Sequence, residues 1–273
     1  MPVIFSPKTN KHTYDAFHAC FKLENAEEAS FIWHGNFQDA LYSVYINEVK
    51  VWIFFTGYSG AAVGQAIFEY DKHLRGLDSI PCAFFIGSCY ATKQSKLDLN
   101  DIVIPVDSYS PDSFERAIYK NCKIAGIKSP GAPSSSLVDL ACKSAFKKNI
   151  ILEKVKVYSR ISPGILSSFK IGYELMMDGL WTPFALEKGD REGFDVGEYE
   201  CNAFLSTCNL LKISPLAILD VKDKRIGLKP EDYIIRKAED GLYTYKIMLS
   251  LIKDIVGMFH RKGFNYVQGR ATI

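Results

Sequence analysis

No run of apolar residues in the 273-residue sequence approaches the ~20 needed to cross a bilayer, and no basic segment followed by an apolar core opens it. Neither a membrane partner nor export is expected, so the protein is read as cytoplasmic. Charge of one sign is lacking as well. A formal net charge of +2 gives no overall attraction for nucleic acid or membrane surfaces. The seven cysteines (Cys20, Cys82, Cys89, Cys122, Cys142, Cys201, Cys208) form an odd set without a CxxC, which suggests neither a disulfide framework nor a zinc site. Buried free thiols and no metal are expected. P-loop and GxGxxG spacings are absent, and no cofactor is expected. There is no internal repeat, low-complexity tract or linker, so residues 1–273 are read as one domain.

What is present is an alternation of apolar strands and amphipathic helices. Pro2 to Phe5 reads as a first strand, and Thr9 or Asn10 is placed to cap a helix through Tyr14, Phe17 and Phe21. Strand-like segments follow at Phe31 to Trp33, Ala40 to Ile46 and Val49 to Phe55, the last two divided by the turn Asn47-Glu48. Then comes Thr56-Gly57-Tyr58-Ser59-Gly60 and a helical pattern from Ala61 to Leu74. A second apolar strand, Cys82 to Ile86, runs into Gly87-Ser88-Cys89-Tyr90-Ala91. Two glycine loops after two strands predict backbone amides free to approach an anion or a sugar. Asp101 to Pro105 and Glu153 to Tyr158 read as further strands, and Ser136 with Asp139 as a capping box for a helix reaching Lys148. The punctuated stretch from Ser162 to Gly193 has no clean period and is expected to be a lid. From Leu242 a stripe through Tyr245, Met248, Leu249, Ile252, Ile255, Val256 and Phe259 predicts a long scaffold helix. The fold class expected is α/β, with a central mixed sheet flanked by helices.

The stretch from Phe194 to Arg225 organises the rest. After Gly197, positions Glu200, Ala203, Phe204, Thr207, Cys208 and Leu211 fall on one helical face, and Asn202, Ser206 and Asn209 on the other. Leu216 to Leu219 is a short apolar run suited to a strand buried on both faces, ending in Asp220-Val221-Lys222-Asp223. Ligands in open α/β sheets bind beyond the carboxyl ends of the strands, so an acid there and a Glu at a helix start can share one crevice. Structural duties compete with that reading. A Glu in a first helical turn is favourable against the macrodipole, and an Asp after a strand can pair with Lys222, Lys224 or Arg225.

Taken in order, Phe54-Phe55-Thr56-Gly57-Tyr58-Ser59-Gly60, Ile86-Gly87-Ser88-Cys89, Leu99-Asn100-Asp101-Ile102-Val103-Ile104-Pro105, Gly197-Glu198-Tyr199-Glu200 and Val221-Lys222-Asp223 resemble the purine nucleoside phosphorylase and nucleosidase superfamily. The order of the motifs carries the resemblance. It implies that Glu200 binds ribose hydroxyls, Tyr199 packs on the sugar, and Asp223 hydrogen-bonds or protonates purine N7 as the base departs. Thr56, Gly57, Gly87, Ser88 and Cys89 would line the same site. The substrate implied is a purine nucleoside, and the assembly a homo-oligomer. The chemistry suits these residues, because glycosidic cleavage makes the sugar cationic and the leaving purine anionic.

The sequence departs from that family's phosphate loop. Phe5-Ser6-Pro7-Lys8-Thr9-Asn10 stands where phosphorylases carry an arginine loop, and Phe84-Phe85 precede the Gly-Ser motif. Without guanidinium forks, water is the expected nucleophile. Yet the N-terminal Glu with which related nucleosidases position water is absent, Asn10 and His12 being the nearest polar substitutes, and Tyr90 stands where the family has Gly, facing the base. Three readings are therefore carried, in this order: a hydrolytic nucleosidase; a phosphorylase, with phosphate as co-substrate held by Lys8, Arg116 or a neighbouring subunit; and a non-catalytic nucleoside-binding member of the fold.

Overall fold

Residues 2–7, 11–23, 27–29, 40–56, 60–73, 82–110, 113–159, 193–226 and 233–262 are described by the structure, a computed structural model. The alternating side chains of two long parallel strands decide its layers. In β5 (Cys82–Ala91), Cys82, Phe84 and Ile86 face one way, while Ala83, Phe85, Cys89 and Ala91 face the other. In β9 (Ser214–Arg225), Leu216 and Ile218 join the first set, and Ala217, Leu219 and Val221 join the second. Both faces are therefore apolar and each demands a cover. The first face is covered by α1 (Lys11–Phe21), α4 (Ser135–Lys147) and α6 (Ala238–Lys262), through Phe17, Leu137, Met248 and Ile252. The second is covered by α2 (Gly60–His73) and α5 (Cys201–Leu210), through Ile67, Tyr70 and Phe204. Full burial of one such side chain is worth about 1.5–3 kcal/mol, and α6 alone buries Met248, Leu249, Leu251, Ile252, Ile255 and Val256 completely.

The strands form one mixed sheet that closes on itself in part. β1 (Val3–Pro7) lies parallel to β4 (Val49–Thr56) on one side and to β5 on the other. β3 (Ala40–Ile46) and β2 (Glu27–Ala29) continue antiparallel beyond β4. The turn between β3 and β4 has Asn47 at φ 47° and Glu48 at φ 67°, the pair of left-handed residues that matches the twist of a two-residue hairpin. On the other side β5 pairs with β9, β9 with β6 (Ile102–Tyr109), β6 with β7 (Leu152–Ser159), β7 with β8 (Val196–Glu198), and β8 returns to β5. β10 (Tyr233–Ile235) lies antiparallel to the end of β9, and α3 (Ser113–Ile124) packs against α5.

Several expectations are corrected. Gly87 does not open a loop: β5 runs through Ala91, paired with β9 as far as Ala91↔Lys224. Glycine is needed there for space, since a Cβ would lie 2.9 Å from Cε1 of Phe85. The run Leu216 to Leu219 is the middle of a strand of 12 residues, so Asp220 and Asp223 sit within β9. The helix α5 has no polar outer face, because Asn202 and Ser206 are fully buried. Ser134, and not Ser136, occupies the N-cap of α4, and its hydroxyl meets Ser136 Oγ at 3.0 Å instead of capping. The expected strand at Phe31 to Trp33, the caps Thr9 and Asn10, and nearly all of the expected lid lie outside the described residues.

Candidate active site

Strand pairing opens a fork at one end of β5. Pairing with β1 holds from Val3↔Ala83 to Phe5↔Phe85, and Ser6 Oγ donates to Ile86 O at 3.0 Å; from Tyr90 onward the same edge pairs with β8. The ends of β1 and β4, where Pro7 faces Thr56, therefore part from β8 with Ser88 and Cys89 between them. Strands that separate beyond their carboxyl ends make a crevice at which side chains from several strands converge. Thr56 is fully buried there, and its Oγ1 has no hydrogen-bond partner among the described residues.

Two glutamates stand on the β8 side. Glu198 ends β8 and does the work of a helix cap: its carboxylate accepts from the backbone N–H of Glu200, from that of Cys201 at 2.7 Å, and from Ser159 Oγ on β7. Ser159 Oγ accepts in turn from the N–H of Asn202 at 2.9 Å. The amides of Glu200, Cys201 and Asn202 are thus satisfied without the Glu200 side chain. Glu200 occupies the N-cap position but makes no capping bond, and it is only 5% exposed. Its Oε1 is buried without a partner among the described residues. Burial, and then the neighbouring charge of Glu198, push the Glu200 carboxyl well above the usual carboxylate range. Glu198 is also raised by burial, but four donors, Ser159 and the backbone amides of Cys201, Glu200 and Tyr199, oppose that, so Glu200 is the member of the pair that takes the proton.

Across β5 the arrangement differs. Tyr90 pairs with Gly197 of β8 on one side and with Asp223 of β9 on the other, at a bulge where Lys222 has no partner in β5. Asp220, three residues before, is 0% exposed. Its partner is Arg236, 6% exposed, delivered by β10, whose end is fixed by Ile235↔Asp223 and by the Arg236 N–H to Lys222 O at 3.0 Å. Thr244 of α6 donates to Asp220 Oδ2 and accepts from Arg236 Nη1 at 3.0 Å, while Arg236 Nη2 lies 3.4 Å from Ser88 Oγ. Ser88 Oγ also meets Tyr245 Oη at 3.4 Å. The expectation that an acid here pairs with Lys222, Lys224 or Arg225 fails for Asp220. Lys224 instead pairs with Asp98.

Of the residues expected to form a site, Glu200, Thr56, Ser88, Cys89 and Asp223 lie on β4, β5, β9 and the start of α5 around this fork, with Gly87 and Tyr199 adjoining them. Gly57 lies outside the described residues, as does Lys8, and the side chains of His12 and Arg116 are likewise outside them. Cys89 turns its thiol to Asp220 O at 3.4 Å. Burial pushes that thiol well up, and Asp220, Glu198 and Asp223 push it further against the opposing Arg236, so it stays protonated and inert as a nucleophile. All seven cysteines are free, and no cluster of His, Cys, Asp or Glu among the described residues could hold a metal. No helix among them is long and apolar enough to cross a membrane. Sequence reading missed Ser159, Arg236 and Thr244. The buried Asp220 was the one available signal, since a carboxylate in an apolar strand requires a donor from elsewhere.

No family model and no curated protein sequence matches the chain. Solved structures do. The 5'-methylthioadenosine/S-adenosyl homocysteine nucleosidase of Campylobacter jejuni superposes with a TM-score of 0.68 at 13% identity, over 94% of this chain and 98% of that one. The purine nucleoside phosphorylase of Toxoplasma gondii, in complex with immucillin-H, gives 0.69 at 16% identity, over 96% and 91%. A futalosine hydrolase mutant of Helicobacter pylori strain 26695 gives 0.62 at 9%, over 94% and 99%. Motif order, sheet closure and these likenesses agree: the chain has the fold of the purine nucleoside phosphorylase and nucleosidase superfamily.

Proposed function

We propose that the protein cleaves the N-glycosidic bond of purine nucleosides with water as the nucleophile. The observation that carries this is Glu200, a buried carboxyl whose capping duty is taken by Glu198 and whose Oε1 is left without a partner among the described residues. A buried acceptor of this kind is costly unless a ligand supplies donors, and vicinal sugar hydroxyls are such donors. Hydroxyls that donate to it favour the ionised form, so substrate binding would release its proton to solvent, and the charge would then favour the cationic sugar of the transition state. Asp223, separated from Gly197 by β5 alone, stands about 10 Å away at ordinary strand spacing, a span that suits a base at one end and a sugar at the other. Asp223 is assigned the proton for the departing purine.

Water is preferred over phosphate because the guanidinium nearest Ser88 among the described residues, that of Arg236, is already neutralised by Asp220. A phosphate dianion beside Ser88 would meet the Asp220 carboxylate as well as the arginine, and two like charges at close range disfavour it. The phosphorolytic reading draws on the same contact, since Arg236 Nη2 is within 3.4 Å of Ser88 Oγ and could turn toward an anion. Pure protein incubated with adenosine, inosine, methylthioadenosine, AMP and uridine, with and without phosphate, separates the two. Free ribose (or its 5-substituted form) and a rate independent of phosphate support hydrolysis. Ribose 1-phosphate formed only with phosphate supports phosphorolysis, and no product from any substrate removes the enzymatic reading.

A further inference from the structure

The side chain of Tyr90 rests on Gly197. Built on Gly197, a Cβ would collide with Oη, Cζ and Cε1 of the tyrosine, so the ring uses the space that the missing side chain leaves. The contact is between register partners: Tyr90 and Gly197 face each other across β5 and β8, and as cross-strand partners they project to the same face of the sheet. Glycine is required at 197 because of that ring, and no turn is involved, Gly197 being the middle residue of β8. Tyr90 is 6% exposed, yet it belongs to neither of the two apolar layers that bury the other large side chains of β5. A buried aromatic that serves neither core layer stands where β8, β5 and β9 run side by side, one residue from Glu198 in register and directly beside Asp223.

We propose that Tyr90, seated on Gly197, is the specificity-determining residue of the base subsite: it limits the size of the purine that can reach Asp223, admitting the unsubstituted base and rejecting bases enlarged by an alkyl or aryl group. The proposal rests on the purine nucleoside reading above. A ligand that spans from Glu200 to Asp223 crosses β5 at Tyr90, because β5 is the strand between them. Close-packed rings do not yield to an added group without displacement, and the Gly197 backbone beneath this ring leaves it nowhere to retreat.

The test compares kcat/KM for adenosine with that for adenosines carrying a bulky group at carbon 2, nitrogen 6 or carbon 8, in the wild type and in three variants. Y90G should raise the enlarged-to-parent ratio at least about tenfold for one or more of the enlarged substrates, the scale on which a hydrophobic pocket discriminates by size. Y90F should keep the wild-type ratios, since the filter is the ring. The double variant Y90G/G197V, which refills the space from the neighbouring strand, should bring the ratio back toward wild type. A tyrosine that only braced the sheet would lower kcat/KM for all substrates together and leave the ratios unmoved. Ratios in active Y90G that stay within about threefold of wild type overturn the proposal while the purine nucleoside reading stands, the threshold lying well below the ten- to two-hundredfold worth of a methylene. Absence of both turnover and calorimetric binding for every nucleoside in every variant overturns that reading and the proposal with it.

Discussion

Buried carboxylates occur on both sides of β5, and the two sides solve the same electrostatic problem in opposite ways. On the β9 side Asp220 is given a guanidinium and a hydroxyl, Arg236 and Thr244, and is stationary. On the β8 side Glu198 is given only a hydroxyl and backbone amides, and Glu200 has a backbone amide, that of Tyr199, but no cation, with its Oε1 left without a partner among the described residues. A paired buried acid locks neighbouring elements, here β10 and the start of α6, onto β9. An unpaired one stores an unfavourable interaction that a ligand can relieve. The difference marks the Asp220–Arg236 pair as a brace on β9 and leaves Glu200 as a buried carboxyl that a ligand could relieve, while Asp223, the acid of the proposed reaction, lies on β9 beyond that brace.

Breaking the paired side should have the largest effect. Arg236→Met leaves Asp220 charged and alone in the interior, and removal of one partner of a buried pair costs about 3–5 kcal/mol. Urea unfolding should show a loss on that scale, with Asp220→Leu/Arg236→Met recovering much of it. A loss no greater than that of an exposed ion pair would show that Arg236 and Asp220 are not locked. The catalytic counterpart follows three residues further along the same strand. Asp223→Asn keeps the shape but removes the transferable proton, so kcat on the best purine nucleoside should fall about 10²–10⁴-fold while binding is largely kept. A variant within a few-fold of wild type would remove the acid role from Asp223.

The contrast between the two sides was only half legible in the sequence, for a physical reason. Local signals found the β3–β4 turn, the strand at Cys82 and the stripe that became α6, because each is decided by residues within one element. Motif order singled out Glu200 and Asp223, and the structure sets Asp223 beside Tyr90 and Glu200 at the start of α5. What holds the neighbouring acids Glu198 and Asp220 is non-local: Ser159 reaches Glu198 across 39 residues, and Arg236 reaches Asp220 across 16. The polar face expected of α5 is polar in composition, but Asn202 Nδ2 donates inside to Ser108 and Tyr119, residues 94 and 83 positions away, so periodicity misjudged its exposure. Gly87 misled for a related reason, since its lack of a side chain answers the ring of Phe85 and not a turn.

A smaller effect sharpens the comparison at the sugar. Glu200→Gln keeps the size of the side chain and one acceptor oxygen but loses the charge, and a hydrogen bond to a charged group is worth about 1.5–3 kcal/mol. kcat/KM for ribonucleosides should fall accordingly, and that for 2′-deoxy analogues should fall less, because the deoxy sugar has one donor fewer for the carboxylate. Equal losses on both sugars would detach Glu200 from the ribose.

The last difference is one of pH. Glu200 has its carboxyl raised by burial and by Glu198, so above the ordinary carboxylate range the folded protein holds a proton that the unfolded chain has lost. Stability changes with pH in proportion to protons bound unfolded minus folded, which is negative in this window. The contribution of Glu200 is therefore fully present at acid pH and declines as pH rises from the usual carboxylate range toward the raised value. Glutamine in its place cannot ionise, so the unliganded Glu200→Gln protein should lose less stability between pH 4 and neutrality than the wild type, despite losing activity. Asp220→Asn should show no such gain, since it abandons Arg236 at every pH. Urea midpoints for the three proteins across that range check the sign. A steeper decline in Glu200→Gln than in wild type would mean that Glu200 is ionised and paired in the folded protein, and the two sides of β5 would then be alike.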